Sequence, residues 1–172
     1  VTFNMATGSS SGTGGTSGVT HITGNDANAA NNTIQGTDGN DAFVLSGAND
    51  GSVGSLAFQD FGILNGGLGN DTFNIQAAAS LSGSLNGEGG TDTIQGSGLT
   101  YALNGTDQGT VSGINWYTIE SITDATGTVN FGTTGSVAGT VTAGTLNYSA
   151  WTTSAVTFNM ATGSSSGTGG TS

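Results

Sequence analysis

Three observations predict an all-β chain: apolar and polar side chains alternate with period two, no stretch carries helical spacing, and the composition is rich in turn formers. A strand with one buried face alternates over four to eight residues, and this sequence does so repeatedly between Gly, Asn, Asp and Ser turns. No window places apolar residues at i, i+3, i+4 and i+7, and the helix formers Lys and Arg are absent. Of 172 residues, 33 are Gly, 29 Thr, 20 Ser and 16 Asn, so more than half the chain is turn and strand vocabulary.

In chain order, Val1, Phe3 and Met5 alternate with Thr2 and Asn4. Phe43 with Leu45, Phe73 with Ile75, and Leu81 with Leu85 repeat the pattern. It continues at Leu99, Tyr101 and Leu103, along INWYTI at 114–119, and at Val129 with Phe131, Val141 with Ala143, and Leu146 with Tyr148. The Gly/Ser-rich stretch 8–18, its copy from Gly163 onward, and GNDANAANN at 24–32 are expected to be surface loops.

The two ends of the sequence coincide. Residues 1–17 read VTFNMATGSSSGTGGTS, and residues 156–172 repeat them letter for letter. Composition bias accounts for a shared GSSSGTGG but not for VTFNMATG. Residues 1–155 are therefore expected to be one repeat unit and 156–172 the start of the next identical one, within a longer repetitive polypeptide. Shorter echoes lie inside the unit: TIQG at 33–36 and 93–96, DAFVL at 41–45 beside DTFNI at 71–75, and GSVGSL at 51–56 beside SLSGSL at 80–85. Such echoes favour a parallel β-solenoid (β-helix) built from tandem 155-residue repeats, because stacked coils accept identical copies without limit. A string of β-sandwich domains is the alternative.

The charge balance excludes several functions. With no Lys or Arg and eleven Asp and Glu, the formal net charge is −11. Such a chain repels phosphate polymers, so nucleic acid is not an expected partner. No Cys is present for zinc, disulfide or thiol chemistry. No run approaches the roughly 20 apolar residues of a membrane span. Catalysis is not expected either: nothing cationic stabilises a developing anion, and His21, the one neutral-pH base, reads as a surface residue. Trp116, Tyr117 and Trp151 have the ring faces that stack on sugars, yet the alternation around 114–119 also suits core packing. Asn31, Asn70, Asn104 and Asn147 begin N-x-Ser/Thr patterns.

The most specific local signal is GGLGNDTFN at 66–74. It resembles the nonapeptide G-G-x-G-x-D-x-U-x of the RTX (repeats-in-toxin) family, in which glycine turns wrap Ca²⁺ and the Asp supplies a carboxylate. GTDGNDAFV at 36–44 matches with Thr37 at the second position, and GEGGTDTIQ at 87–95 with Glu88 there. The resemblance implies Asp41, Asp71 and Asp92 as metal ligands and Ca²⁺ as the cofactor. The family stacks its nonapeptides back to back, whereas these are spread along the chain. Glycine turns whose Asp side chains bond nearby backbone amides account for the same letters.

Taken whole, the long identical repeats, the Gly/Thr/Asn richness and the RTX-like turns resemble the giant β-strand-repeat proteins of bacterial surfaces, including filamentous-haemagglutinin-like adhesins and RTX adhesins. That resemblance implies an extracellular location at the bacterial cell surface and a structural role in a fibre, matrix, sheath or attachment. Its expected partners are copies of itself, joined covalently or head to tail, and surface glycans.

Overall fold

The computed structural model describes residues 1–152 and 154–171. Among them, seventeen strands join in one mixed sheet, and Phe158–Asn159 pairs with Ser164–Ser165 in a separate two-stranded one. The all-β expectation holds. One six-residue 3-10 helix, Asp26–Asn31, interrupts the stretch expected to be a loop; the Asn25 side chain caps it by accepting from the Ala27 N–H.

Parallel pairings run as ladders through the molecule. In the first, Thr2–Asn4, Thr33–Gln35, Ile63–Leu68, Ser84–Gly89 and Ile114–Tyr117 lie side by side, with Phe3, Ile34, Leu64, Leu85 and Trp116 in register. In the second, Ala42–Leu45, Thr72–Ile75, Thr93–Gln95, Ser121–Phe131 and Val137–Asn147 align Phe43, Phe73, Ile94, Ile122 and Val141. A shorter third ladder places Tyr101 beside Val129 and Leu103 beside Phe131.

The alternation explains why these residues meet. Every second side chain of a strand faces inward, and the aligned residues of the first two ladders are 6 % exposed or less. Each is worth about 1.5–3 kcal/mol when fully buried. Phe43 stacks on Phe73 with ring centroids 4.9 Å apart, and Phe131 on Tyr148 at 4.4 Å. Outward positions carry amides that bond along the ladder, such as Asn65 Nδ2 to Gln35 Oε1 at 2.9 Å and Asn147 Nδ2 to Asn130 Oδ1 at 2.8 Å.

Not all pairing is parallel. Ala42–Leu45, Gly51–Val53 and Leu56–Gln59 form an antiparallel meander, as do Thr100–Gly105, Gln108–Val111 and Ile114–Tyr117. The DAFVL and DTFNI echoes stack directly on each other, whereas Thr33–Gln35 and Thr93–Gln95 occupy different ladders despite their shared TIQ.

Candidate functional site

The three RTX-like nonapeptides fall on top of one another. Each links a strand of the first ladder to one of the second, so their 30- and 21-residue spacings equal the ladder offsets there. Asp41, Asp71 and Asp92 thereby form a column, one carboxylate per strand level, about 4.8 Å apart.

Hydrogen bonds run along this column. The Asp41 N–H donates to Asp71 Oδ1 at 2.8 Å, the Asp71 N–H to Asp92 Oδ1 at 2.7 Å, and the Asp92 N–H to Glu120 Oε2 at 2.7 Å. A neighbouring polar column runs the opposite way: the Asn70 N–H donates to Asn40 Oδ1 and the Thr91 N–H to Asn70 Oδ1. The first glycine of each nonapeptide makes room. A Cβ on Gly66 would overlap Asp71 Oδ2, and one on Gly87 would overlap Asp92 Oδ2.

The three levels differ in their second oxygen. Asp41 Oδ2 accepts from the Thr37 N–H at 2.6 Å and from the Thr37 hydroxyl at 2.9 Å. The corresponding residues are Gly67 and Glu88, both at positive φ. Asp71 Oδ2 and Asp92 Oδ2 are buried without a hydrogen-bond partner. The departure from the family pattern, Thr37, is thus what completes the first level.

Burial raises the Asp71 carboxyl to about 6; the Asp41 N–H opposes this, and the charges of Asp92, Asp41 and Glu88 add to it. Burial also raises Asp92 against the pull of the Asp71 N–H, and raises Glu120 in the same way. The two free oxygens have the donor chemistry a hard cation takes. Among the described residues, however, no three acidic or His side chains gather into a group that could hold a metal ion. A calcium shell at this corner would draw on backbone carbonyls and water as well.

A further buried carboxylate, which the sequence does not announce, lies at Asp124. It accepts from the N–H groups of Gly98 and Leu99, both at 2.9 Å, and from the Tyr101 hydroxyl at 3.2 Å. Neither Asp124 nor Glu120 sits in a recognisable motif: Thr126 donates to Asp124 from two residues away, but its other donors, Gly98, Leu99 and Tyr101, come from more than twenty residues away in sequence.

Other candidate residues resolve simply. Trp116 is fully buried in the first ladder and presents no face to a sugar. Tyr117 is exposed, and Trp151 packs edge-on against Phe131 and Tyr148. His21 is exposed, its ring 3.1 Å from the Thr23 hydroxyl. Of the N-x-Ser/Thr asparagines, Asn70 and Asn147 have side chains engaged along the ladders. No family model, curated protein or solved structure matches the chain.

Proposed function

We propose that this chain is a structural segment of an extracellular bacterial fibre or giant surface adhesin, with a matrix, sheath or attachment role and no catalysis. Its parallel ladders are successive coils of one β-solenoid, and the two antiparallel meanders join neighbouring strands of the same sheet. The observation that carries this reading is the register of the first ladder, in which five successive strands place Phe3, Ile34, Leu64, Leu85 and Trp116 in one buried row. Parallel stacking of this kind accepts further coils, and the identical segments 1–17 and 156–172 supply a sequence that repeats.

The mechanism is mechanical. Tension along the stack loads many inter-strand hydrogen bonds, while the anionic surface keeps neighbouring fibres apart. Electron microscopy of a chain carrying several units tests the reading. A thin continuous rod with layers about 4.8 Å apart supports it, and separate beads overturn it in favour of a string of sandwich-type domains.

Calcium binding at Asp41, Asp71 and Asp92 is a second element of the proposal, favoured by the two buried oxygens without partners. Millimolar Ca²⁺ added to chelator-treated protein is expected to raise Tm, since a ligand that binds only the folded state stabilises it. An unchanged Tm removes calcium and leaves the column as a hydrogen-bonded corner.

A further inference from the structure

The repeated 17-residue segment occurs in two settings, and its hairpin is the same in both. Phe3 and Asn4 pair with Ser10 and Ser9, as Phe158 and Asn159 pair with Ser165 and Ser164. The Thr2 N–H donates to Ser11 Oγ at 3.0 Å, and the Thr157 N–H to Ser166 Oγ at 2.9 Å. The Asn4 side chain accepts from the Thr7 N–H, as that of Asn159 does from the Thr162 N–H. The hairpin is therefore encoded locally and does not depend on what it touches.

What it touches differs. In the first copy, the leading strand Thr2–Asn4 lies parallel on Thr33–Gln35, Phe3 is 6 % exposed, and Met5 packs against the core with its N–H donating to Gln35 O at 2.9 Å. Residues 13–16 of that copy form no strand. In the second copy the trailing strand Thr168–Thr171 lies parallel on Val137–Asn147, and the Tyr148 hydroxyl donates to Ser166 O at 2.7 Å. Its leading strand pairs with nothing but its own hairpin among the described residues, leaving Phe158 54 % and Met160 88 % exposed. One copy uses only its front edge and the other only its back edge.

The unused edges are open in the matching places. Phe158, Met160 and Val156 line a cavity of about 640 Å³ together with Val141, Leu146 and Tyr148. At the other end, Phe3, Met5, Thr16, Val53 and Leu56 line one of about 350 Å³.

We infer that the 17-residue segment is a two-sided joint between consecutive units: 156–172 keeps its back edge on Val137–Asn147 while its front edge receives the Thr33–Gln35 strand of the next copy of this chain. Phe158 and Met160 are then covered as Phe3 and Met5 already are. The occupant is fixed by the first copy, in which the same letters already hold that strand in register. The inference rests on the proposal that units follow one another, and it specifies the residues by which they do so.

The two methionines of the chain, Met5 and Met160, stand in identical VTFNMATG surroundings and so report the joint directly. Oxidation by hydrogen peroxide follows exposure and is read by peptide mass spectrometry. In the 172-residue chain Met160 is expected to oxidise several-fold faster than Met5. In a chain extended after Ser172 by a second full unit, Met160 is expected to slow to the Met5 rate, while the corresponding Met of the new last copy stays fast as an internal control. Equal rates in the single unit overturn the inference, and so does an extended chain that fails to fold or in which Met160 stays fast. Electron microscopy of the same extended chain separates the failures. One rigid rod with a fast Met160 removes the joint alone, and two separate particles remove the fibre proposal with it.

Discussion

Asp71 and Asp124 are both buried aspartates, 1 % exposed, yet their surroundings move their protons in opposite directions. Burial acts on both as an upward push. At Asp124 it is outweighed by the N–H groups of Leu99, Gly98 and Thr126 and by the Tyr101 hydroxyl, so the carboxyl lies below its ordinary value. Asp71 receives one N–H, from Asp41, and faces Asp92, Asp41 and Glu88 with no Lys or Arg in the chain to offset them, so its carboxyl is raised to about 6. The difference teaches that depth does not decide the charge of a buried carboxylate in a protein without Lys or Arg. The number of backbone donors turned toward it does.

Removing the better-held carboxylate is expected to have the largest effect. Asp124→Ala leaves the buried Leu99 N–H and Tyr101 hydroxyl, and the Gly98 N–H nearer solvent, without their acceptor; at about 1–3 kcal/mol for each buried orphan, a loss of about 2–6 kcal/mol is expected in urea unfolding. A loss below about 1 kcal/mol would show that water replaces the carboxylate, and the contrast would fail. Next comes Gly66→Ala, whose Cβ overlaps Asp71 Oδ2. Crowding of this kind costs about 1–3 kcal/mol, and the same substitution at Gly39, where the nearest atom lies 3.7 Å away, is the control for the column.

The pH dependence sharpens the comparison because the two signs oppose. With its carboxyl raised from 3.8 to about 6, Asp71 takes up a proton on folding. Its contribution is fully present below the unfolded value, and stability falls as pH rises through that window. Asp124, held low, contributes above 3.8 and loses that contribution as pH falls through its depressed value. Tm followed against pH is expected to rise from neutral toward mild acid and then to fall in strong acid. Asp71→Asn keeps an acceptor for the Asp41 N–H and should flatten the first limb while leaving the second in place. An unaltered slope in that variant would place the titrating group elsewhere. The smallest effect belongs to Thr37→Ala, which takes from Asp41 the hydroxyl that Asp71 and Asp92 never had; about 1 kcal/mol is expected from denaturant unfolding.

Local alternation carried most of the fold. Phe43 with Leu45, Phe73 with Ile75, Tyr101 with Leu103, and Val129 with Phe131 are all buried as their period-two spacing predicts, because inward facing is a property of the single strand. What lies between strands is less legible. The spacing of the nonapeptides looks like a departure from stacking until the ladder offsets are known, and then it is the stacking. The TIQ echo points to one ladder and belongs to two, since three letters fix a strand's faces and not its partner. The antiparallel meanders at 42–59 and 100–117 leave no separate trace in the sequence, their register being set by turns at Gly54 and Gly113 whose letters resemble every other turn here. Of the candidate site, the three nonapeptide aspartates are readable, whereas Asp124 and Glu120 are not. A carboxylate that draws most of its donors from distant residues leaves little mark near itself.

The two meander turns have one more consequence. Val53 faces Leu56 across Gly54 and Ser55, and Val111 faces Ile114 across Ser112 and Gly113. Ser112 and Gly113 are both at positive φ, as a two-residue hairpin turn of type I′ requires. A side chain added at Gly54 or Gly113 would meet no atom within 4 Å. Both turns close an antiparallel pair rather than interrupting a strand, so a guest sequence spliced into either would enter between strands. An array of such units would then present its cargo at two fixed addresses per repeat, a ready scaffold for displaying peptides at regular intervals.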